Sequence, residues 1–176
     1  MNFSLFFIII ILLPIIIWVV MDFFNIIFRG FAPLVFSRKS AMSAILDIIK
    51  PKPKQIIYEL GSGSAKFLKM AEKKFPETKL IGLENSIIPF LFFGLVLRFQ
   101  KSKIKIHLQN MFKADLQDAD FIYCYLFPGM MGKLGAKIRS ECKPGAIFIS
   151  YMFSVPDWKP KQIITQNNGI IYFYEV

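Results

Sequence analysis

The chain has 176 residues, of which 55% are apolar, and a formal net charge of +10. This length suits one domain with a sizeable core, but a mean hydropathy of +0.48 is high for an ordinary soluble domain. The two cysteines are too few and too far apart to form a metal site, and we expect no bound metal. The basic residues are scattered and form no aromatic-interleaved motif, so we expect anionic or acidic partners rather than nucleic acid.

The N-terminal segment holds the excess of apolar residues. Residues 3–20 carry no charge, and about 20 apolar residues suffice to cross a bilayer. The basic start and small-residue cleavage site of a signal peptide are missing. Lysine and arginine follow the run, which places the remainder in the cytoplasm. We therefore predict a transmembrane anchor (1–28), a juxtamembrane linker (29–39) and a single-pass membrane protein whose domain (40–176) faces the cytoplasm, with the lipid bilayer as a partner.

A glycine-rich turn joins a predicted strand (55–60) to a predicted helix (65–74). The strand is apolar, as parallel strands buried on both faces are, and it carries one carboxylate, Glu59. Gly61 and Gly63 allow the backbone to turn sharply and to approach a ligand closely. Together with the free N–H groups of the helix start, this pattern indicates a nucleotide-like cofactor at the strand end. A tight turn without a ligand is the alternative.

A second acid, Glu84, ends the next predicted strand (79–84). It is placed to accept hydrogen bonds from the ribose hydroxyls of a bound nucleoside, although a solvated strand-end carboxylate is also possible. A dinucleotide site normally shows a third glycine, and Lys66 occupies that position. The pattern of Glu59, two glycines and Glu84 is instead similar to the donor site of class I S-adenosylmethionine-dependent methyltransferases.

The rest of the chain alternates strands with helices. Further strands are predicted at 104–108, 121–126 and 146–151, further helices at 41–49, 87–100 and 130–142, and a hairpin joins 162–165 to 170–175. These elements predict an α/β fold, a Rossmann-like sheet of seven strands with the last one antiparallel. The helix at 87–100 is apolar on every side, which indicates either burial between layers or contact with a membrane surface.

Several blocks of sequence resemble the membrane-anchored seven-strand protein-lysine methyltransferases of mitochondria and their prokaryotic relatives. The resemblance covers about residues 40–160. The matching blocks are residues 58–64, 82–86, 115–120, 125–131 and 153–160. Two positions depart from the family pattern, because Ser64 stands where an acidic residue is usual and Lys66 where an arginine is often found.

The resemblance implies an S-adenosylmethionine-dependent methyltransferase that modifies lysine in a membrane-associated protein. It implies a donor site formed by Glu59, Gly61, Ser62, Gly63, Glu84, Asn85, Asn110 and Met111. It also implies that Tyr125 and Pro128, at the tip of the fourth strand, are catalytic and face the transferring methyl group. The alternatives are a packed strand aromatic for Tyr125, and for Trp158 either a wall of the substrate channel or a core residue.

Two other functions stay open at this point. The methyl acceptor could be a lipid, a quinone or another small amphiphile instead of a lysine. The chain could also be a non-catalytic anchored binding module that kept the fold, which the departures at Ser64 and Lys66 favour slightly. The intact acids and glycines of the predicted donor site argue against that second reading.

Overall fold

Seven strands form one mixed sheet in the computed structural model, which describes residues 9–20, 38–166 and 169–176. The strands are β1 (Ile56–Leu60), β2 (Lys79–Glu84), β3 (Lys105–Leu108), β4 (Phe121–Cys124), β5 (Ile147–Tyr151), β6 (Gln162–Gln166) and β7 (Gly169–Glu175). They lie in the order β3-β2-β1-β4-β5-β7-β6. β7 runs antiparallel to β5 and β6, and the other neighbouring pairs are parallel. The predicted Rossmann-like α/β sheet is therefore confirmed.

Helices within residues 39–141 pack on both faces of this sheet. The described helices are α1 (residues 9–20), α2 (Lys39–Ile49), α3 (Lys66–Lys74), α4 (Ile87–Phe99) and α5 (Pro128–Glu141). Residues of α2 and α3 form one apolar cluster with Tyr123 and Ile149 of the sheet. Alternate strand residues face opposite sides, so Ser150 faces away from this cluster, and there it lies against Met131 of α5.

The predicted membrane anchor is not supported. The chain divides into two units, Met1–Val35 and Phe36–Val176, and α1 belongs to the first. Among the described residues, no helix is long and apolar enough to cross a membrane. The predicted localisation, a single-pass membrane protein with its domain facing the cytoplasm, is therefore wrong; residues 1–8 and 21–37 of the predicted anchor and linker lie outside the described residues.

The helix α4 is apolar on every side but is not enclosed between layers. It packs beside β2 and β3, and of its residues Pro89 and Leu97 are buried. By contrast, Leu91 and Phe92 are each 61% exposed and Phe99 is 80% exposed. The interpretation of this helix as one buried between layers is therefore wrong. An apolar composition shows what a helix is able to bury, but it does not show that a second layer covers it.

The segment after β5 packs against α5 and the sheet. The ring of Trp158 lies 4.9 Å from that of Tyr174 and 6.1 Å from that of Phe148, centroid to centroid. The N–H of Val155 donates to the Tyr174 hydroxyl at 2.8 Å. A Cβ added to Gly135 of α5 would overlap the Val155 side chain. Of the two interpretations of Trp158, these contacts support the core residue.

This packing predicts different effects for two glycines of α5. Gly135→Ala should lower the free energy of unfolding by about 1–3 kcal/mol, because the new methyl group overlaps Val155. Gly132→Ala is the matched control, since an added Cβ there meets its nearest atom at 3.9 Å. It should be neutral or stabilise the helix by about 1 kcal/mol. Urea unfolding of both variants tests this, and equal effects would contradict the packing of Val155 on α5.

Candidate functional site

The glycine turn after β1 is hydrogen-bonded to the tip of β2. The N–H groups of Gly61 and Ser62 both donate to the carbonyl oxygen of Leu83, at 2.9 and 3.0 Å. Gly61 and Gly63 have φ angles of +71° and +47°, in the left-handed region that glycine adopts without strain. The N–H of Ala65 then donates to the Ser62 carbonyl at 2.7 Å, immediately before α3 begins. The turn is therefore held on β2 as well as on the strand it follows.

Glu84, the last residue of β2, uses both of its carboxylate oxygens to hold backbone. Its Oε2 accepts the N–H of Gly63 and its Oε1 accepts the N–H of Ser86, each at 2.8 Å. Hydrogen bonds to an ionised carboxylate are about twice as strong as neutral ones, and this side chain is buried. Glu84 therefore connects the glycine turn to the start of α4.

Two glycines allow close contacts around the turn, Gly82 with Ser62 and Gly61 with Leu126. A Cβ on Gly82 would lie 2.8 Å from Ser62 Oγ, and one on Gly61 would lie 3.2 Å from Leu126 Cδ2. The Ser62 hydroxyl is buried and has no hydrogen-bond partner within the described part of the chain. Leaving such a group unpaired costs about 1–3 kcal/mol, and a polar ligand beside the turn would satisfy it. The residues present therefore fit a small polar cofactor.

Glu59, near the end of β1, is a buried carboxyl group facing the first turn of α3. Its Oε2 accepts the N–H of Leu68 at 3.4 Å. Burial raises the pKa of Glu59 to about 8; the Leu68 N–H lowers it, the charge of Glu84 raises it, and the Phe67 N–H lowers it. Glu59 is therefore mostly neutral at pH 7, and a cation bound beside it would favour its ionised form.

The other predicted donor residues follow the tips of β2 and β3. These two strands are parallel neighbours, so the loops after them meet at one edge of the sheet. Asn85 is half-buried, and Met111 is 5% exposed. The Oδ1 atom of Asn110 accepts the N–H of Phe112 at 2.9 Å, so this side chain shapes its own loop. The structure places all three at the sheet edge that carries the glycine turn, and their binding roles stay predictions.

The predicted catalytic residues lie beyond the tip of β4. Tyr125 is half-buried, with its ring centroid 4.9 Å from that of Tyr151 in an edge-on contact and 6.5 Å from that of Phe153 in a stacked one. Pro128 is exposed and opens α5. Because β4 is the parallel neighbour of β1, both residues are at the same sheet edge as the turn. The ring of Tyr125 also packs against the apolar cluster, so its catalytic role stays a prediction.

Three residues that shape this edge were not found from the sequence. Gly82 had a usable signal, because a glycine inside a strand often marks a close backbone approach. Leu126, which lies over Gly61, and Tyr151, which contacts Tyr125, had none. Their contacts join strand tips that are distant in sequence and adjacent only in the folded sheet.

Comparison with known sequences identifies a protein family. The family profile described as "ANTKMT methyltransferase domain" matches residues 59–162. A protein-lysine N-methyltransferase of Saccharolobus islandicus is 25% identical over 82% of this chain and 93% of its own length. The adenine nucleotide translocase lysine N-methyltransferase of Mus musculus is 22% identical over 82% of this chain, which spans only 63% of that relative.

Solved structures share the fold at low sequence identity. An RNA methyltransferase from Salinibacter ruber, in complex with S-adenosyl-L-homocysteine, superposes with a TM-score of 0.76 at 19% identity, covering 81% of this chain and 94% of its own. Precorrin-6y C5,15-methyltransferase from Geobacter metallireducens gives a TM-score of 0.65 at 12% identity, covering 85% and 95%. At these identities the likeness concerns the fold alone.

The buried carboxyl group of Glu59 predicts a pH-dependent stability. Its folded pKa of about 8 lies above its ordinary value of 4.5, so between these values the folded state holds a proton that the unfolded state releases. The free energy of unfolding should therefore fall as pH rises from about 4.5 to 8, at up to about 1.4 kcal/mol per unit. Glu59→Gln stays neutral in both states and should lack this component. Urea unfolding at pH 5, 6.5 and 8 measures it, and parallel curves would contradict the raised pKa.

Proposed function

Because the chain belongs to the family of the ANTKMT methyltransferase domain, we propose that it transfers methyl groups from S-adenosylmethionine to lysine side chains of a protein. That it is a methyltransferase follows from the family; the donor and the acceptor are the proposal. The carrying observation is the glycine turn, held by Glu84 and containing the unpaired buried hydroxyl of Ser62, at the same sheet edge as Tyr125. The names of the two relatives support lysine as the acceptor.

The donor would bind across the tips of β2, β1 and β3. S-adenosylmethionine, when bound, supplies an electrophilic methyl group on a positively charged sulfur. Glu84 would accept from its ribose, the turn at Gly61–Gly63 would contact its methionine portion, and Asn110 and Met111 would hold its base. Glu59 would meet a cationic ligand with a carboxyl group that ionises as the ligand binds.

The acceptor would enter beside Tyr125. A lysine ammonium has to lose its proton before its nitrogen attacks, and a poorly hydrated slot lowers the pKa of the amine. The aromatic rings of Tyr125 and Phe153 would make such a slot apolar without adding a negative charge, and the buried ring of Tyr151 packs behind Tyr125. The Tyr125 hydroxyl would accept from or donate to the amine and orient it, and Pro128 would limit the slot on the side of α5.

The departures from the family pattern do not disturb this arrangement. Ser64 is buried within the turn, and Lys66 is the exposed first residue of α3, so its side chain does not lie between helix and strand. Membership of a methyltransferase family sets aside the non-catalytic module. A small amphiphile stays the competing acceptor, because the apolar slot suits it as well, and only the names of the relatives favour lysine.

The donor part of the proposal predicts a specific loss on changing Glu84. Glu84→Gln offers one acceptor oxygen to two backbone N–H groups and removes the charge, so S-adenosylmethionine affinity should fall by about 10- to 100-fold. Glu72→Gln is the matched control, because Glu72 of α3 also accepts from a backbone N–H and a hydroxyl group, but in the loop before β3. Calorimetry on both variants measures the change. Wild-type binding of NAD in place of S-adenosylmethionine would contradict the proposal.

The acceptor part is tested with isotope-labelled donor and an extract of the organism's own proteins and lipids. The label should appear on lysine, located by mass spectrometry of peptides. Tyr125→Phe should lower kcat about tenfold and leave donor affinity unchanged, since it removes only the hydroxyl that orients the amine. Tyr172→Phe, which removes a hydroxyl from β7, is the control. Label found in the lipid fraction alone would overturn lysine as the acceptor. Full activity of Tyr125→Phe would show that the hydroxyl has no role and that Tyr125 only lines the slot.

A further inference from the structure

Tyr151, at the end of β5, makes the shorter of the two ring contacts described for Tyr125. β4 and β5 are parallel neighbours, and Cys124 of β4 pairs with Ser150 of β5. The residues that follow this pair, Tyr125 and Tyr151, therefore lie side by side. Their ring centroids are 4.9 Å apart at an interplanar angle of 67°, the edge-to-face geometry that aromatic pairs favour. Tyr151 is 3% exposed, whereas Tyr125 is only half-buried. The buried Tyr151 ring therefore supports the half-buried Tyr125 ring.

Gly169, the first residue of β7, leaves the space that the Tyr151 ring occupies. A Cβ at this position would lie 2.5 Å from the Tyr151 hydroxyl oxygen, 2.7 Å from Cε2 and 2.9 Å from Cζ. These distances are too short for any real contact, and two of the three atoms belong to a rigid ring. A side chain at position 169 would therefore push the Tyr151 ring, and with it the edge that supports Tyr125.

The backbone after Tyr151 adds a second constraint. Met152 has a φ of +75°, a left-handed conformation that is strained for a residue with a side chain. Its N–H donates to the carbonyl of Ile170 at 2.6 Å, one residue from Gly169. Strained positions persist where the surrounding structure fixes them, and they occur preferentially near functional sites. The chain on both sides of the Tyr151 ring is thus held against β7.

We propose that Tyr151 is a positioning residue for the methyl acceptor, which holds the Tyr125 ring in place and depends on Gly169 for its own position. This rests on the proposed function, because it assigns Tyr125 to the acceptor slot. Tyr151 acts through Tyr125, so its role concerns the alignment of the acceptor amine and leaves the donor site at β1 and β2 untouched. Misplacing a reacting group by about 1 Å can cost two orders of magnitude in rate.

The test displaces Tyr151 without changing it. Gly169→Ala should lower kcat/KM for the acceptor about tenfold or more and leave S-adenosylmethionine affinity within about twofold of wild type. Gly94→Ala is the matched control, since an added Cβ there meets nothing within 4 Å. Tyr151→Phe keeps the ring and should retain most of the activity. In the Tyr151→Leu background, adding Gly169→Ala should have little further effect, because the ring that transmits the displacement is gone.

The outcomes separate this role from simple stability. Melting temperature is measured for each variant, and rates are compared per folded molecule well below it. Wild-type kcat/KM in folded Gly169→Ala overturns the proposal, as does an equal loss of donor affinity, which would show a general disturbance. If Tyr151→Leu does not fold, Gly169→Ala and Tyr151→Phe still decide. If wild type binds the donor but methylates something other than lysine, the proposed function fails, and the same variants assayed on that acceptor decide the role of Tyr151.

Discussion

The two hydrogen bonds that Glu84 accepts from Gly63 and Ser86 are the interaction on which the glycine turn depends. They join the tip of β2 to the turn after β1 and to the start of α4. Leu83, next to Glu84, adds its carbonyl as the acceptor for Gly61 and Ser62. The shape of the turn is thus set by the protein before any ligand arrives, and preorganisation of this kind reduces the ordering cost of binding.

This arrangement carries an electrostatic cost that a cationic ligand would relieve. Glu59 is buried close enough to Glu84 to feel its charge, and burial already raises its pKa to about 8. The folding of two adjacent strand ends does not require two neighbouring buried carboxyl groups. Above pH 4.5 the buried Glu59 carboxyl group lowers the free energy of unfolding. Buried groups with shifted pKa values of this kind are typical of functional sites. Under the proposed function, binding of a cationic donor beside the protonated Glu59 would be coupled to proton release.

How much of this could be read from the sequence depended on whether the signal was local. β1 and β4 are buried on both faces and read as continuous apolar runs, and the turn carries its own glycines. The apolar composition of α4 was misleading, because composition does not show what covers a helix. The Ser62–Gly82 and Tyr151–Gly169 contacts could not be predicted from the sequence, since each joins segments that only the strand order brings together.

That strand order also separates two kinds of chemistry along one sheet edge. Acids stand at the tips of β2 and β1, and aromatic residues follow at the tips of β4 and β5, with neighbouring strands about 5 Å apart. A sulfonium donor is a cation and would be favoured by the acidic half. An amine acceptor has to be neutral when it reacts, and a carboxylate beside it would raise its pKa and hold its proton. An aromatic half gives the amine an apolar surface without that penalty, so the same edge favours a cation on one side and a neutral nucleophile on the other.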